Sequence, residues 1–307
     1  MILLTGGSGF LGQAVSTYLP EANSLSSSDL DLTDGSAVSD AVSSWKPEVV
    51  VHLAARVGGI TANIANQADF LVDNLRIDAN LLSALRSNPP RHLISMLSTC
   101  MYPDQMPADQ YPMPEDVIEN GPPPPTNAAY AAAKRALWRG TLALHEQYEV
   151  PFTALIPANL YGPGDHFGQE ASHFLAAAID KIERARIHRD TKVSFFGTGV
   201  ALRQYVLSTD LARLVALLVE RGPLNETLNV APNHNLSIRE LTRAIRKAVD
   251  YAGEISFTGK GPDGQLRKDV SAAKLLTMVP EWRDMETPLS EGLEATVGWY
   301  RSHVEPR

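Results

Sequence analysis

Tyr130 and Lys134 stand four residues apart in the run Tyr130-Ala-Ala-Ala-Lys134, which puts a phenol and an ammonium on one face of a helix, one turn from each other. A phenol with a pKa of about 10 is a poor acid at neutral pH. A nearby ammonium stabilises the phenolate, so Lys134 is expected to lower that pKa and let Tyr130 pass a proton to a carbonyl oxygen receiving hydride. A second signal lies at the start of the chain, in Thr5-Gly6-Gly7-Ser8-Gly9-Phe10-Leu11-Gly12. Glycines between a strand and a helix let backbone amides and the helix N-terminus approach a pyrophosphate closely. The spacing fits both GxGxxG (Gly7, Gly9, Gly12) and GxxGxxG (Gly6, Gly9, Gly12), so the loop alone does not separate the dinucleotide-binding subclasses. Ser98 directly follows the apolar run 92–97, where the carboxyl end of a strand would open onto the same crevice. Each signal has a bland counterpart: a glycine turn, a surface helix pair, a strand-end cap. Their order along the chain favours a Ser, Tyr, Lys reductase site, with Lys134 also reaching the ribose of a nicotinamide cofactor.

The elements that must position these residues follow from hydrophobic periodicity. Apolar runs bounded by turns occur at 2–4, 49–53, 92–97 and 152–156, with helix-like segments at 36–44, 66–86 and 128–148 between them. This alternation predicts an α/β fold, a doubly wound parallel Rossmann sheet. After Pro157 the pattern loosens into a helix at about 172–186, a strand at 193–196 and a capping box at Ser237 and Glu240 that opens another helix. The expected organisation is a dinucleotide-binding domain over 1–160, with a returning segment near 205–230, and a smaller mixed α/β C-terminal substrate lobe over 161–307. The Pro-rich stretch 103–125 reads as a surface loop near the active edge.

Composition narrows the function classes. The chain has 307 residues, 27 Lys plus Arg against 35 Asp plus Glu, and a net charge of −8 with no basic run, which argues against a nucleic-acid partner. Its single Cys excludes an internal disulfide. No apolar stretch approaches the ~20 residues that span a bilayer. A cytoplasmic enzyme with no metal site is expected. The predicted helices 66–86 and 128–148 carry apolar residues on more than one face, among them Phe70, Leu71, Leu75, Leu81, Ala132, Leu137, Trp138 and Leu142, which points to a homodimer.

Beyond these local signals, the chain resembles the extended short-chain dehydrogenases nearly end to end, and within them the GDP-L-fucose synthase family. The resemblance is carried by the glycine loop, Asp31-Leu32-Thr33-Asp34, His52-Leu-Ala-Ala-Arg-Val-Gly-Gly-Ile60, Ser98-Thr-Cys-Met-Tyr-Pro103, Tyr130 with Lys134, Asn159-Leu-Tyr-Gly-Pro163, Ser172-His173, Gly197-Thr-Gly199 with Arg203, and Pro262-Asp-Gly264 with Arg267-Lys268. It implies an NADPH-dependent epimerase and reductase of a nucleotide-diphospho-4-keto-6-deoxy sugar, most often GDP-4-keto-6-deoxymannose. By the resemblance Cys100 and His173 are the epimerisation pair, joining Ser98, Tyr130 and Lys134. A 4-keto group acidifies the protons on both adjacent carbons, and inversion needs a base on one face and an acid on the other. The resemblance further assigns Gly6, Gly9, Phe10, Leu11, Gly12, Asp31, Leu32, Ala54, Ala55, Pro157, Asn159 and Leu160 to the cofactor. It assigns Val57, Gly58, Asn159, His173, Lys181, Phe196, Arg203 and Lys268 to the substrate, with Arg203 and Lys268 on its phosphates.

The chain departs from the family in three places. Lys181 replaces an Arg and Phe196 a Trp at nucleotide-contacting positions, and the basic residue that favours NADPH is replaced within Ser26-Ser27-Ser28. Asp29 and Asp31 are read as falling beyond the strand end, too far along to repel a 2′-phosphate, so NADP(H) is favoured and NAD(H) stays open. Two other readings compete. A plain 4-keto-sugar-nucleotide reductase would need neither Cys100 nor His173, and a cofactor-sensing scaffold would not need Tyr130 with Lys134. Colitose and heptose precursors present similar keto groups.

Overall fold

Val49, Val50, Val51, Leu93 and Ile94 are all buried, as expected for strands of a parallel sheet covered by helices on both faces. The computed structural model describes residues 1–168, 172–261 and 264–304. The first part of the chain alternates: β1 (Ile2–Thr5), α1 (Phe10–Tyr18), β2 (Asn23–Leu25), α2 (Gly35–Trp45), β3 (Val49–His52), α3 (Ile60–Ala65), α4 (Gln67–Ser87), β4 (His92–Met96), α5 (Ala128–Tyr148) and β5 (Phe152–Pro157). Next come β6 (Asn159–Tyr161), α6 (Phe174–His188), β7 (Lys192–Phe195), β8 (Leu202–Arg203), β9 (Tyr205–Leu207), α7 (Ser208–Arg221) and β10 (Glu226–Val230). The remainder is β11 (Leu236–Ser237), α8 (Ile238–Val249), β12 (Glu254–Phe257), α9 (Ala273–Met278), α10 (Trp282–Met285) and α11 (Leu289–His303).

Six strands form one parallel sheet in the order β2-β1-β3-β4-β5-β10. Helices α1 and α7 pack together on one face, and α2, α4 and α5 on the other, which makes the sheet doubly wound. The chain leaves β1 toward β2 and returns on the far side of β1 at β3, so a crevice opens at the carboxyl ends of these strands. Three small pairs, β6 with β9, β7 with β12 and β8 with β11, carry the chain away from the sheet.

Two apolar clusters result. The larger joins the sheet to α1, α2, α4, α5, α7 and α9, and the smaller is built from α6, β7, α8 and α11 around Leu175, Ile179, Leu241, Ile245, Leu293 and Tyr300. The capping box expected at Ser237 and Glu240 is present, with each side chain bonded to the other's backbone amide. Helix α6 starts at Phe174 with His173 as its N-cap residue, and the strand expected at 193–196 ends one residue earlier, at Phe195. Helices α7 and α11 are not among the segments singled out from periodicity. The buried Leu211, Leu214, Val215 and Leu218 of α7 nevertheless follow helical spacing.

The Pro-rich stretch is tied down by its neighbour in sequence to the catalytic pair. Arg135 donates from Nε to Met101 O (2.8 Å) and from Nη2 to Ile118 O (2.6 Å) and Gly121 O (2.8 Å), while Met113 and Ile118 are fully buried beneath. Pro262 and Asp263, quoted above for the resemblance, lie outside the described residues.

One core group makes stability depend on pH. His92, at the start of β4, is fully buried, with Nε2 2.9 Å from Thr153 Oγ1 and Nδ1 without a partner among the described residues. Burial, helped by the charge of Arg91, pushes its pKa from 6.5 to about 4. The folded state therefore resists protonation that the unfolded chain accepts. Stability is complete above 6.5 and falls as pH drops through the interval down to about 4, by about 3 kcal/mol in total. Urea midpoints measured across this interval are expected to flatten in His92→Leu; an unchanged slope would assign the acid sensitivity to other groups.

Candidate active site

The glycine turn comes first because its shape follows from sterics alone. Gly6 has φ +73°, open to glycine at no steric cost, and a Cβ there would lie 2.7 Å from Ala54 N. A Cβ at Gly12 would lie 2.0 Å from Gly6 O and 2.7 Å from Gly7 Cα, so the absence of side chains lets α1 press onto the turn. The N-cap of α1, Gly9, supplies no side-chain cap, and its first turn, Phe10, Leu11 and Gly12, lines a cleft of about 2330 Å³. Uncapped helix amides with a partial positive charge suit a pyrophosphate. The cleft exceeds the roughly 300–1,000 Å³ of a single small-molecule pocket and has room for two large ligands. Asp31, Leu32, Ala54, Ala55, Pro157, Asn159 and Leu160 line the same space, as does every other candidate named from the sequence.

Beyond the end of β2, Asp29 lies in the following loop, its Oδ2 accepting from Ser26 N (2.8 Å) and Ser26 Oγ (2.6 Å). The cleft wall beside it is made by Leu25, Ser26, Ser27, Leu30 and Asp31.

Tyr130 and Lys134 sit in the first two turns of α5, facing the ends of β3 and β4. Lys134 is buried and donates from Nζ to Met96 O at 3.1 Å. Burial pushes its pKa down and the charge of Asp78 pushes it back up. For Tyr130, burial dominates: it raises the phenol's pKa, the charges of Cys100 and Asp78 raise it further, and a hydrogen bond with Ser98 opposes them. In this geometry burial and these charges outweigh the lowering expected from Lys134. The phenol is thus a firmly protonated donor.

Cys100 lies in a short 3-10 turn after β4, whose second amide is held by Ser98: Cys100 N donates to Ser98 Oγ at 3.2 Å. Two donors converge on its sulfur, Asn127 Nδ2 at 2.8 Å and Lys268 Nζ at 3.5 Å. The sulfur thus accepts from a side-chain amide and from an ammonium. His173 opens into the cleft yet has protein on most sides, and this surrounding lowers its pKa, with Lys268 and His166 adding to the effect. The ring is therefore neutral at pH 7. Lys268, expected on a phosphate, sits at the thiol.

Further out, Arg203 donates from Nη1 to Leu202 O and Gln265 O, both at 2.7 Å, and Lys181 donates to Ser194 O at 2.6 Å. Phe196 is 81% exposed and Val57 57% exposed at the rim. Gly58 lines the wall beside Val57, and Asn159 is pinned to Gln204 O at 2.9 Å. Three functional positions escaped sequence reasoning. Asn127 precedes Tyr130 by three residues, a helical spacing that could have signalled it. His52 and Asp78 meet only through the fold.

The glycine turn makes a testable contrast. Gly12→Ala forces a Cβ onto backbone that cannot yield, so it is expected to lower the melting temperature and abolish dinucleotide binding, overpacking typically costing about 1–3 kcal/mol. In Gly9→Ala the nearest atom, Gly6 O, is 3.2 Å from the added Cβ, so the protein should fold normally while binding dinucleotide more weakly. Equal melting and binding for Gly12→Ala and wild type would refute the close-approach argument.

Comparison with known proteins agrees with this geometry. The model of the NAD dependent epimerase/dehydratase family matches residues 2–231. The GDP-L-fucose synthase of Dictyostelium discoideum is 33% identical over 315 residues, covering 99% of this chain and 96% of the relative. That of Escherichia coli K12 is 30% identical, covering 97% and 96%. The crystal structure of a GDP-L-fucose synthetase from Naegleria fowleri bound to NADP superposes with a TM-score of 0.85 at 32% identity, covering 100% of this chain and 96% of that one. The chain belongs to the NAD dependent epimerase/dehydratase family, in the branch that holds the GDP-L-fucose synthases.

Proposed function

We propose that this protein is an NADPH-dependent epimerase and reductase of a nucleotide-diphospho-4-keto-6-deoxy sugar, converting GDP-4-keto-6-deoxymannose to GDP-L-fucose. The observation that carries the reading is that Cys100, flanked by Asn127 and Lys268, shares one cleft with Tyr130 and Lys134. A reductase needs the second pair alone. Gly6, Gly9, Gly12 and the start of α1 would hold the dinucleotide pyrophosphate, and Lys134 the ribose. NADP(H) is favoured over NAD(H), in keeping with the NADP bound by the Naegleria relative. Reduced, that cofactor supplies the hydride.

The chain's own groups perform the proton moves. Cys100 as thiolate removes a proton beside the ketone, Lys268 compensating the charge, and the enol is reprotonated from the opposite face through His173, the neutral ring giving up its N–H proton as its other nitrogen takes one from solvent. Tyr130, bonded to Ser98, gives its proton to the carbonyl oxygen. Arg203 anchors the diphosphate. Lys268, close to both Cys100 and His173, serves the proton pair first. Val57, Gly58, Lys181 and Phe196 frame the rest of the nucleotide sugar. Another GDP-sugar is the second reading, favoured by Lys181 and Phe196 at the nucleotide end. On this assignment residues 1–160, with the returning 205–230, form the dinucleotide-binding domain and the rest the substrate lobe, whose α6, α8 and α11 share the smaller apolar cluster while α9 packs with the sheet.

Three measurements with GDP-4-keto-6-deoxymannose test the chemistry. Tyr130→Phe is expected to cut NADPH oxidation by about 10²-fold or more while still binding cofactor; activity within tenfold of wild type removes Tyr130 from the acid role. Wild type holding oxidised cofactor should exchange the protons beside the ketone with deuterated water. Cys100→Ser should lose that exchange yet reduce the ketone without inversion. Full exchange and an inverted product from Cys100→Ser would make the thiol structural, and absence of exchange in wild type would favour the plain reductase.

Homodimerisation through α4 and α5 completes the proposal. Phe70, Leu81 and Leu137 of the expected apolar surface are core residues of the protomer, which leaves Val72, 45% exposed, and Leu75, 37% exposed, as the support for a partner. Light scattering at micromolar concentration should give twice the monomer mass of 33.4 kDa; a monomeric mass would refute the pairing.

A further inference from the structure

Beneath the cleft lies a polar chain that the reaction above does not use. Ala54 N donates to Thr5 Oγ1 (3.3 Å), Thr5 Oγ1 lies 2.8 Å from His52 Nδ1, and His52 Nε2 lies 3.0 Å from Asp78 Oδ1. One proton arrangement satisfies all three contacts with a neutral ring: Thr5 donates to Nδ1, and Nε2–H donates to the carboxylate. Thr5, His52 and Asp78 are all buried, at 1%, 1% and 3% exposure. Asp78 Oδ2 has no hydrogen-bond partner among the described residues.

A buried carboxylate with an unused oxygen is costly unless a cation stands nearby. The fold supplies one. β3 and β4 are adjacent, with His52 paired to Ser95, so the His52–Asp78 contact stands at the end of β3 beside the end of β4. There Met96 O, one residue past Ser95, receives the Lys134 ammonium. Helix α4, which carries Asp78, packs along α5, which carries Lys134. The elements that meet here carry four titratable groups besides Lys134: Asp78 on α4, His52 on β3, Tyr130 one turn earlier on α5, and Cys100 in the turn after β4. Of these, Asp78 is the one whose charge acts on Lys134, and it also acts on Tyr130.

We propose that Asp78, clamped by His52, is a positioning residue that serves as the fixed counter-charge of Lys134, holding the buried ammonium charged at the carboxyl edge of the sheet. Desolvation alone would favour a neutral amine, which could neither stabilise negative charge nor bind ribose hydroxyls as strongly. The catalytic part of this inference rests on the role given to Lys134 above; the pairing does not.

Two experiments separate these parts. The first needs no substrate: melting temperatures of Asp78→Asn, Lys134→Met and the double variant. Each single change strands a buried charge, so the double variant is expected to melt above the value obtained by adding the two losses. Additive losses, or a double variant that fails to fold while Lys134→Met folds, overturn the pairing. Failure of Asp78→Asn alone to fold, with the double variant folded, supports it.

The second is the pH dependence of NADPH oxidation with the keto-sugar nucleotide. Without the carboxylate, Lys134 loses its proton at lower pH, and so does Tyr130, so both effects move the alkaline limb the same way. In Asp78→Asn the limb is expected about one unit or more lower, with KM for the sugar nucleotide within twofold, and Asp78→Glu should restore it. An unmoved limb in Asp78→Asn overturns the catalytic part. If wild type turns over no keto-sugar nucleotide, the proposed function fails, and the melting cycle still decides the pairing.

Discussion

The ammonium of Lys134, buried against the carbonyl of Met96, is the contact around which the rest of this site is arranged. Burying a charge is tolerated only when other groups replace water. Here they come from different strands and helices: Met96 from β4, and Asp78 from α4 held by His52 from β3. A parallel sheet brings all its carboxyl ends to one edge, which is why residues from 5 to 134 can meet beneath one ligand site. The same edge receives the glycine turn, so the dinucleotide cradle and the proton donor share a rigid base.

The other half of the site depends on the C-terminal part of the chain. Cys100 is fixed from below by Ser98 and from the side by Asn127, but its cation, Lys268, arrives from 168 residues away. That segment is tied down in its turn. Gln265 Nε2 bonds to Pro103 O and Asp104 O, and Arg267 pairs with Asp269, whose backbone carbonyl accepts from Met113 N. The Pro-rich stretch is therefore part of the scaffold, gripped by Arg135 on one side and by the Lys268 segment on the other.

What could be read in the sequence was what is local. The Tyr130 and Lys134 pair, the glycine turn, Ser98 after β4 and the capping box at Ser237 are spacings of a few residues, and periodicity carries them directly. The parallel sheet was legible because its strands are unbroken apolar runs. Contacts across long sequence separations were not. Nothing in a linear reading places Lys268 beside Cys100, joins His52 to Asp78, or predicts that Phe70, Leu81 and Leu137 are covered within the protomer. Tyr130 shows the limit most clearly, since spacing locates the neighbouring charge and only the fold reveals that burial outweighs it.

The geometry also bears on the order of events in the proposed reaction. Negative charge at Cys100 and at Asp78 raises the pKa of Tyr130, so while the thiol is ionised the phenol holds its proton more firmly. Once the thiolate has taken a proton from the sugar, one of the two repulsions disappears and Tyr130 becomes the stronger acid. Proton abstraction beside the ketone thus prepares the donor that reduction requires. A cleft that inverted and reduced with unlinked groups would risk reducing the ketone before inversion. Placing the thiol within electrostatic reach of the phenol couples the two steps without any moving part.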